Sequence, residues 1–126
     1  MYYLTVRHHF DAAHFLPGYP GKCANLHGHR WLVELTVRGS QLDDLGMLVD
    51  FSLLKDRLKQ VLKEFDHSLL NEHAYFSHST PTAENLAKML YTAQQALPSQ
   101  VTLCKVRVYE TPDAWVDYEG EQPCQA

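Results

Sequence analysis

Residues 23–37 read Cys23-Ala24-Asn25-Leu26-His27-Gly28-His29-Arg30-Trp31-Leu32-Val33-Glu34-Leu35-Thr36-Val37. From His27 onward one parity carries His27, His29, Trp31, Val33, Leu35 and Val37, and the other carries Arg30, Glu34, Thr36 and Arg38. Alternation with period two marks a strand with one buried face. Gly39-Ser40 closes it. Residues two apart project from the same side, so the imidazoles of His27 and His29 leave the backbone together.

Upstream the pattern repeats. Tyr2, Leu4, Val6, His8, Phe10, Ala12 and His14 share a parity, while Thr5, Arg7, His9 and Asp11 share the other. This predicts a long first strand, ended by the loop Pro17-Gly-Tyr-Pro-Gly21, whose prolines and glycines cannot continue a ladder. If the two strands pair antiparallel across that loop, the end of one meets the start of the next. His14 then lies beside His27 and His29.

Downstream the period changes. Gln41 to Asp50 reads as a loop with short extended pieces. Ser52 is a plausible cap for a helix whose apolar stripe is Leu54, Leu58, Val61, Leu62 and Phe65. Thr82 caps a second helix with Leu86, Met89, Leu90, Ala93 and Leu97 as its buried stripe, stopped by Pro98. Two strands follow: Thr102, Cys104, Val106, Val108 and Glu110 share one face, and Thr111-Pro112-Asp113 turns the chain into Trp115–Tyr118. The order β-β-α-α-β-β predicts an α+β domain over 1–126, a four-stranded antiparallel sheet with two helices on one face.

Bulk properties bound the function. The 126 residues, 45% hydrophobic and 21% charged, suit one domain with a true core. A net charge of -4 offers no general attraction to nucleic acid. No apolar run approaches the roughly 20 residues a membrane span needs, and the N-terminus lacks a signal-peptide pattern. Three scattered cysteines, Cys23, Cys104 and Cys124, make a poor disulfide framework and fit a reducing cytosol.

Eight histidines are the unusual feature. Three neutral imidazoles from His14, His27 and His29, with a fourth position open, is the catalytic form of zinc coordination. Two readings of Cys23 stand: a fourth ligand of a structural zinc, or a thiol activated by Lys22 and a nearby dication. Asp66-His67 pairs a carboxylate with an imidazole that can carry protons, though capping or surface roles also fit such a pair. Glu110 continues a buried parity and needs a specific donor, such as the adjacent N–H groups of an amino-pyrimidine ring. Cys104 reads as packing, Cys124 as without a role, and His73 and His78 as surface residues. Lys22 and Arg30 are candidates for contacts to a phosphate chain by charge and position.

Five segments together resemble one family. They are Phe10-Asp-Ala-Ala-His14, Cys23-Ala-Asn-Leu-His27-Gly-His29, Phe65-Asp66-His67-Ser-Leu-Leu-Asn71, Pro81-Thr-Ala-Glu-Asn85-Leu-Ala and Val108-Tyr-Glu110-Thr. Their order is similar to that of the 6-pyruvoyl- and 6-carboxy-tetrahydropterin synthase family, from the first strand to Tyr118. The resemblance implies the tunnelling fold, with trimers of sheets stacked as a homohexamer. It implies one zinc per subunit on His14, His27 and His29, and Cys23 as proton acceptor. Asp66 and His67 would form a relay across a subunit interface, Glu110 would anchor the pterin with a possible share in the relay, and Thr82 would contribute to its pocket.

The compact Cys-x-x-x-His-Gly-His resembles the carboxy-forming branch of the queuosine and 7-deazapurine pathway, since the animal pyruvoyl-forming enzymes have a longer gap there. The reaction implied converts 7,8-dihydroneopterin triphosphate to 6-carboxy-tetrahydropterin, acetaldehyde and triphosphate. A pyruvoyl-forming synthase, without C–C cleavage, is the runner-up. A non-catalytic pterin- or metal-binding protein is the reading from another class.

Overall fold

The computed structural model describes residues 1–94 and 96–121. Strand β1 (Tyr2–His14) pairs antiparallel with β2 (His27–Gly39) over their whole length, from Tyr2 opposite Gly39 to His14 opposite His27. Helix α1 (Phe51–Leu62) follows, then the short strand β3 (Ser68–Leu69), helix α2 (Ala83–Ala93), and strands β4 (Thr102–Thr111) and β5 (Ala114–Tyr118). The sheet order is β3-β1-β2-β4-β5. Four strands were expected, and the fifth is β3, two residues running parallel to β1 beside Ala12 and Ala13. So short a pairing leaves no periodicity to read in the sequence.

Both helices cover one face, α1 over β1 and α2 over β4 and β5. The period-two reading holds: Val6, Phe10, Trp31, Val33, Leu35, Val106 and Val108 are all buried against Leu54, Leu58, Leu62, Leu86 and Leu90. Each such leucine contributes roughly 1.5–3 kcal/mol through its burial. Cys104 is buried in this layer, as expected of a packing residue.

The other face is polar. Arg7 pairs with Glu34, Arg30 with Asp11, and Arg107 forks onto Asp117 at 2.6 and 2.9 Å. An antiparallel sheet tolerates this because only one side need meet the core.

Several boundaries differ from expectation. The cap of α1 is Asp50, whose carboxylate accepts the Ser52 N–H at 2.8 Å, so Ser52 is already inside the helix. Helix α2 ends at Ala93, which is exposed, and Leu97 lies beyond it, partly buried against the core. The residue before a proline disfavours helical geometry, so the chain leaves the helix ahead of Pro98. Thr82 caps α2 as expected, its hydroxyl accepting the Asn85 N–H at 3.1 Å. The segment before α1 is a loop with no strand, folded around Asp43, whose carboxylate accepts from the N–H groups of Leu45 and Met47. Cys124 lies outside the described residues.

Candidate metal centre and active site

The antiparallel register sets His14, the last residue of β1, directly opposite His27, the first of β2. His29 follows on the same side, and all three rings meet edge to face, 4.5 to 5.3 Å between centroids. Trp31 packs under them, 5.0 Å from His14 and 5.3 Å from His29, and donates its indole N–H to the Ala12 carbonyl.

Backbone carbonyls decide the tautomers. His14 Nδ1 lies 2.8 Å from the Pro81 carbonyl oxygen, and His27 Nδ1 lies 2.6 Å from that of Asn25. A carbonyl only accepts, so each Nδ1 holds the proton and each neutral ring keeps its lone pair on Nε2. Those two Nε2 atoms face each other at 2.9 Å. His29 Nε2 is buried without a hydrogen-bond partner; Glu110 Oε1 approaches it to 3.2 Å, but without hydrogen-bond geometry. Glu110 Oε1 is also 3.9 Å from His14 Nε2. Burial, opposed by the Pro81 carbonyl for His14 and by Glu110 for His29, holds both imidazoles below the usual histidine range.

Three nitrogen lone pairs and a carboxylate, all within 4.8 Å of one another, form a donor set that a cation fits. The orienting carbonyls of Pro81 and Asn25 are the outer partners that metal-bound imidazoles require. Glu110 is the residue that joins the three histidines. Cys23 does not: it sits half-buried in the turn Lys22–Ala24, its carbonyl held by the Leu16 N–H at 2.9 Å.

Asp66 and His67 form a second group with Asp11. Asp66 Oδ1 accepts the Asp11 N–H at 2.9 Å and lies 3.1 Å from His67 Nδ1. The Asp11 N–H first, against desolvation and with help from His67, holds the Asp66 carboxyl below its ordinary value. His67 adopts φ = 57°, the left-handed region, with its own N–H bonded to the Asp11 carbonyl. Such a conformation costs a non-glycine residue roughly 1–2 kcal/mol. The pairing of β3 with β1 directly after it fixes the turn. The imidazole is consequently thrust outward, 80% exposed.

A cleft of about 530 Å3 is lined by His67, Asp11, Gly28, His29 and Arg30. A second, of about 700 Å3, is lined by His29, Arg30, Tyr109, Glu110 and Thr111. His29 borders both, so the two groups flank one region. Arg30 borders both as well, but its guanidinium is held by Asp11.

Sequence reading missed the partners that fix these groups. Asn71 closes a two-way bond with the backbone of Phe15, just past His14. His73 was expected at the surface but is half-buried, its ring tilted against Phe65 at 4.6 Å and accepting the Tyr75 N–H. His78 is exposed as expected.

A sequence profile described as 6-pyruvoyl tetrahydropterin synthase matches residues 3–121. The chain belongs to that family. It is 44% identical over 123 residues to the 6-carboxy-5,6,7,8-tetrahydropterin synthase of Bacillus subtilis (strain 168), covering 90% of this chain and 82% of the relative. It is 33% identical to the 6-pyruvoyl tetrahydrobiopterin synthase of Drosophila melanogaster, covering 96% and 81%. Among solved structures, Caenorhabditis elegans 6-pyruvoyl tetrahydropterin synthase superposes with a TM-score of 0.81 at 30% identity, covering 96% of this chain and 98% of that one. The expected fold is therefore that of the family, with β3 added to the sheet.

Proposed function

We propose that the chain is a single-domain, zinc-dependent lyase that converts 7,8-dihydroneopterin triphosphate and water to 6-carboxy-5,6,7,8-tetrahydropterin, acetaldehyde and triphosphate, serving queuosine and 7-deazapurine synthesis. The observation that carries it is the pair of proton-free Nε2 atoms of His14 and His27, facing each other beside His29 and Glu110. The name of the 44% identical relative and the compact Cys23-to-His27 spacing favour the carboxy product.

His14, His27 and His29 would hold the zinc ion, which as a Lewis acid supplies polarisation of the substrate's side-chain oxygens. The Cys23 thiolate, in the loop leading into His27, takes a proton from the adjacent C–H. Asp66 keeps the proton of His67 on Nδ1 by hydrogen bond, so that Nε2 of the exposed ring takes up or returns the second proton. Glu110 accepts from the pterin ring's N–H donors and orients it. Thr82, which caps α2 one residue after the Pro81 carbonyl that orients His14, would contribute to the pterin pocket.

The working form is a homohexamer of two stacked trimers in the cytoplasm. The outer edge of β5, and that of β1 ahead of its short pairing with β3 at Ala12 and Ala13, support this, because open strand edges invite pairing with another copy. No described helix is long and apolar enough to cross a membrane. In the assembly His67 would serve the substrate held at a neighbour's His14, His27 and His29.

The Drosophila relative keeps one second reading in play, formation of a pyruvoyl pterin. Incubation of zinc-loaded protein with 7,8-dihydroneopterin triphosphate, followed by mass spectrometry, separates the two. Carboxy product with equimolar acetaldehyde supports the proposal. A pyruvoyl product moves it to the second reading, and unchanged substrate rejects both.

A further inference from the structure

Beside Asp66 lies a cluster of positive charge that belongs to neither group described above. Between β1 and the C-terminal half of α1 lies a cleft of about 480 Å3, lined by His8, His9, Lys59, Lys63 and Asp66 over Phe10. That volume is within the range of small-molecule sites. Lys55, Lys59 and Lys63 stand four residues apart, on one stripe of the helix. Like charges at that spacing repel, which costs stability unless an anion offsets it.

Among the described residues Lys55, Lys59 and Lys63 make no ion pair. Glu64, next to Lys63, lies 3.7 Å from His73 instead. By contrast Arg7, Arg30, Lys105 and Arg107 all have carboxylate partners. The one acid in the cleft, Asp66, is already taken by the Asp11 N–H and His67. The positive end also registers on His8: burial first, then His9, Lys59 and Lys55, push its imidazole below the usual range. A helix C-terminus favours lysines in its last turn. That accounts for Lys59 and Lys63 but not for Lys55 or for two histidines meeting them.

In a chain of net charge -4, this is a local cationic pocket suited to a small polyanion. Ammonium groups bind phosphate as point charges, and two of them one helical turn apart can span a short phosphate chain. The cleft leads directly to the dyad, since Asp66 lines it and the next residue, His67, borders the cleft shared with His29.

We propose that this cleft is a phosphate site in which Lys59 and Lys63, with His8 and His9, hold the triphosphate chain of the substrate while the Asp66–His67 pair works at its carbon end. The ligand's identity rests on the proposed reaction; the anion site does not.

The test uses zinc-loaded full chain and the variants Lys59→Gln, Lys63→Gln and, outside the cleft, Arg57→Gln. Glutamine is a good helix former, so α1 persists, as circular dichroism checks. Calorimetric titration with inorganic triphosphate and steady-state kinetics with the pterin triphosphate are both measured. Each lysine variant is expected to weaken triphosphate binding and raise KM about tenfold or more, the worth of one charge-assisted bond, with kcat unchanged. Arg57→Gln is expected to change neither. Unaltered triphosphate affinity in both lysine variants overturns the site. Weakened affinity with unaltered KM overturns the assignment to the substrate's tail, the anion then being a separate phosphorylated ligand. Lysine-dependent triphosphate binding by a protein without turnover upholds the site and rejects the reaction.

Discussion

His14 and His27 are register partners whose Nε2 atoms meet at 2.9 Å with no proton assigned to either, because Pro81 and Asn25 hold both protons on the far side of the rings. Two facing lone pairs repel, so the pair is a socket for a positive charge. Replacing His27 by alanine is expected to abolish stoichiometric zinc and turnover together, as elemental analysis and the acetaldehyde assay would report. Zinc retained at one per subunit would defeat the three-histidine assignment.

Cys23 is expected to behave in the opposite way. It stands apart from the group of mutually close ligand atoms. Cys23→Ala should therefore keep full zinc while losing turnover by about 100-fold or more, the lower range for a positioned acid–base group. Loss of metal along with activity would make the thiol a ligand.

Glu110 distinguishes anchoring from ligation. Its Oε1 sits 3.2 Å from His29 Nε2, yet its proposed work is on the pterin ring. Glu110→Gln keeps the shape and removes the charge. If Glu110 is the anchor, zinc content stays at one and pterin binding weakens by roughly tenfold or more. Zinc affinity falling by a similar factor would instead make it a fourth ligand.

Asp117 supplies a test of pH dependence. The Arg107 fork, more than Lys105 and against desolvation, lowers its carboxyl below the ordinary 3.8. A depressed folded value means the stabilisation is present above 3.8 and lost as pH falls through the folded value. Urea unfolding should thus show Asp117→Asn less stable than the parent at neutral pH, with the gap closing in the acid limb. A gap independent of pH would remove the ion pair as its cause.

The meeting of His14, His27 and His29 was legible because it depends on parity and register, whereas the approach of Glu110 to them was not read from the sequence. His14, His27, His29 and Glu110 each continue an apolar alternation, and antiparallel pairing across one loop brings the first three together. The fold followed from the same periodicity. Asp50 as cap, the end of α2 at Ala93 and the strand β3 were not legible, since each is settled by a few hydrogen bonds. The Pro81 and Asn25 carbonyls were hidden for another reason: a main-chain acceptor carries no side-chain signature. The hold of Asp11 on Asp66 is likewise a backbone bond across 55 residues of sequence.

The left-handed backbone at His67 sets two selective pressures against each other. Glycine enters that region freely, and asparagine more readily than most residues. A screen for heat resistance, blind to turnover, should therefore enrich glycine or asparagine at position 67. Every such gain would delete the outward imidazole. If protons pass through His67 as proposed, thermal hardening and catalytic competence part company at this one residue, and a stabilised version of the enzyme has to find its extra robustness elsewhere.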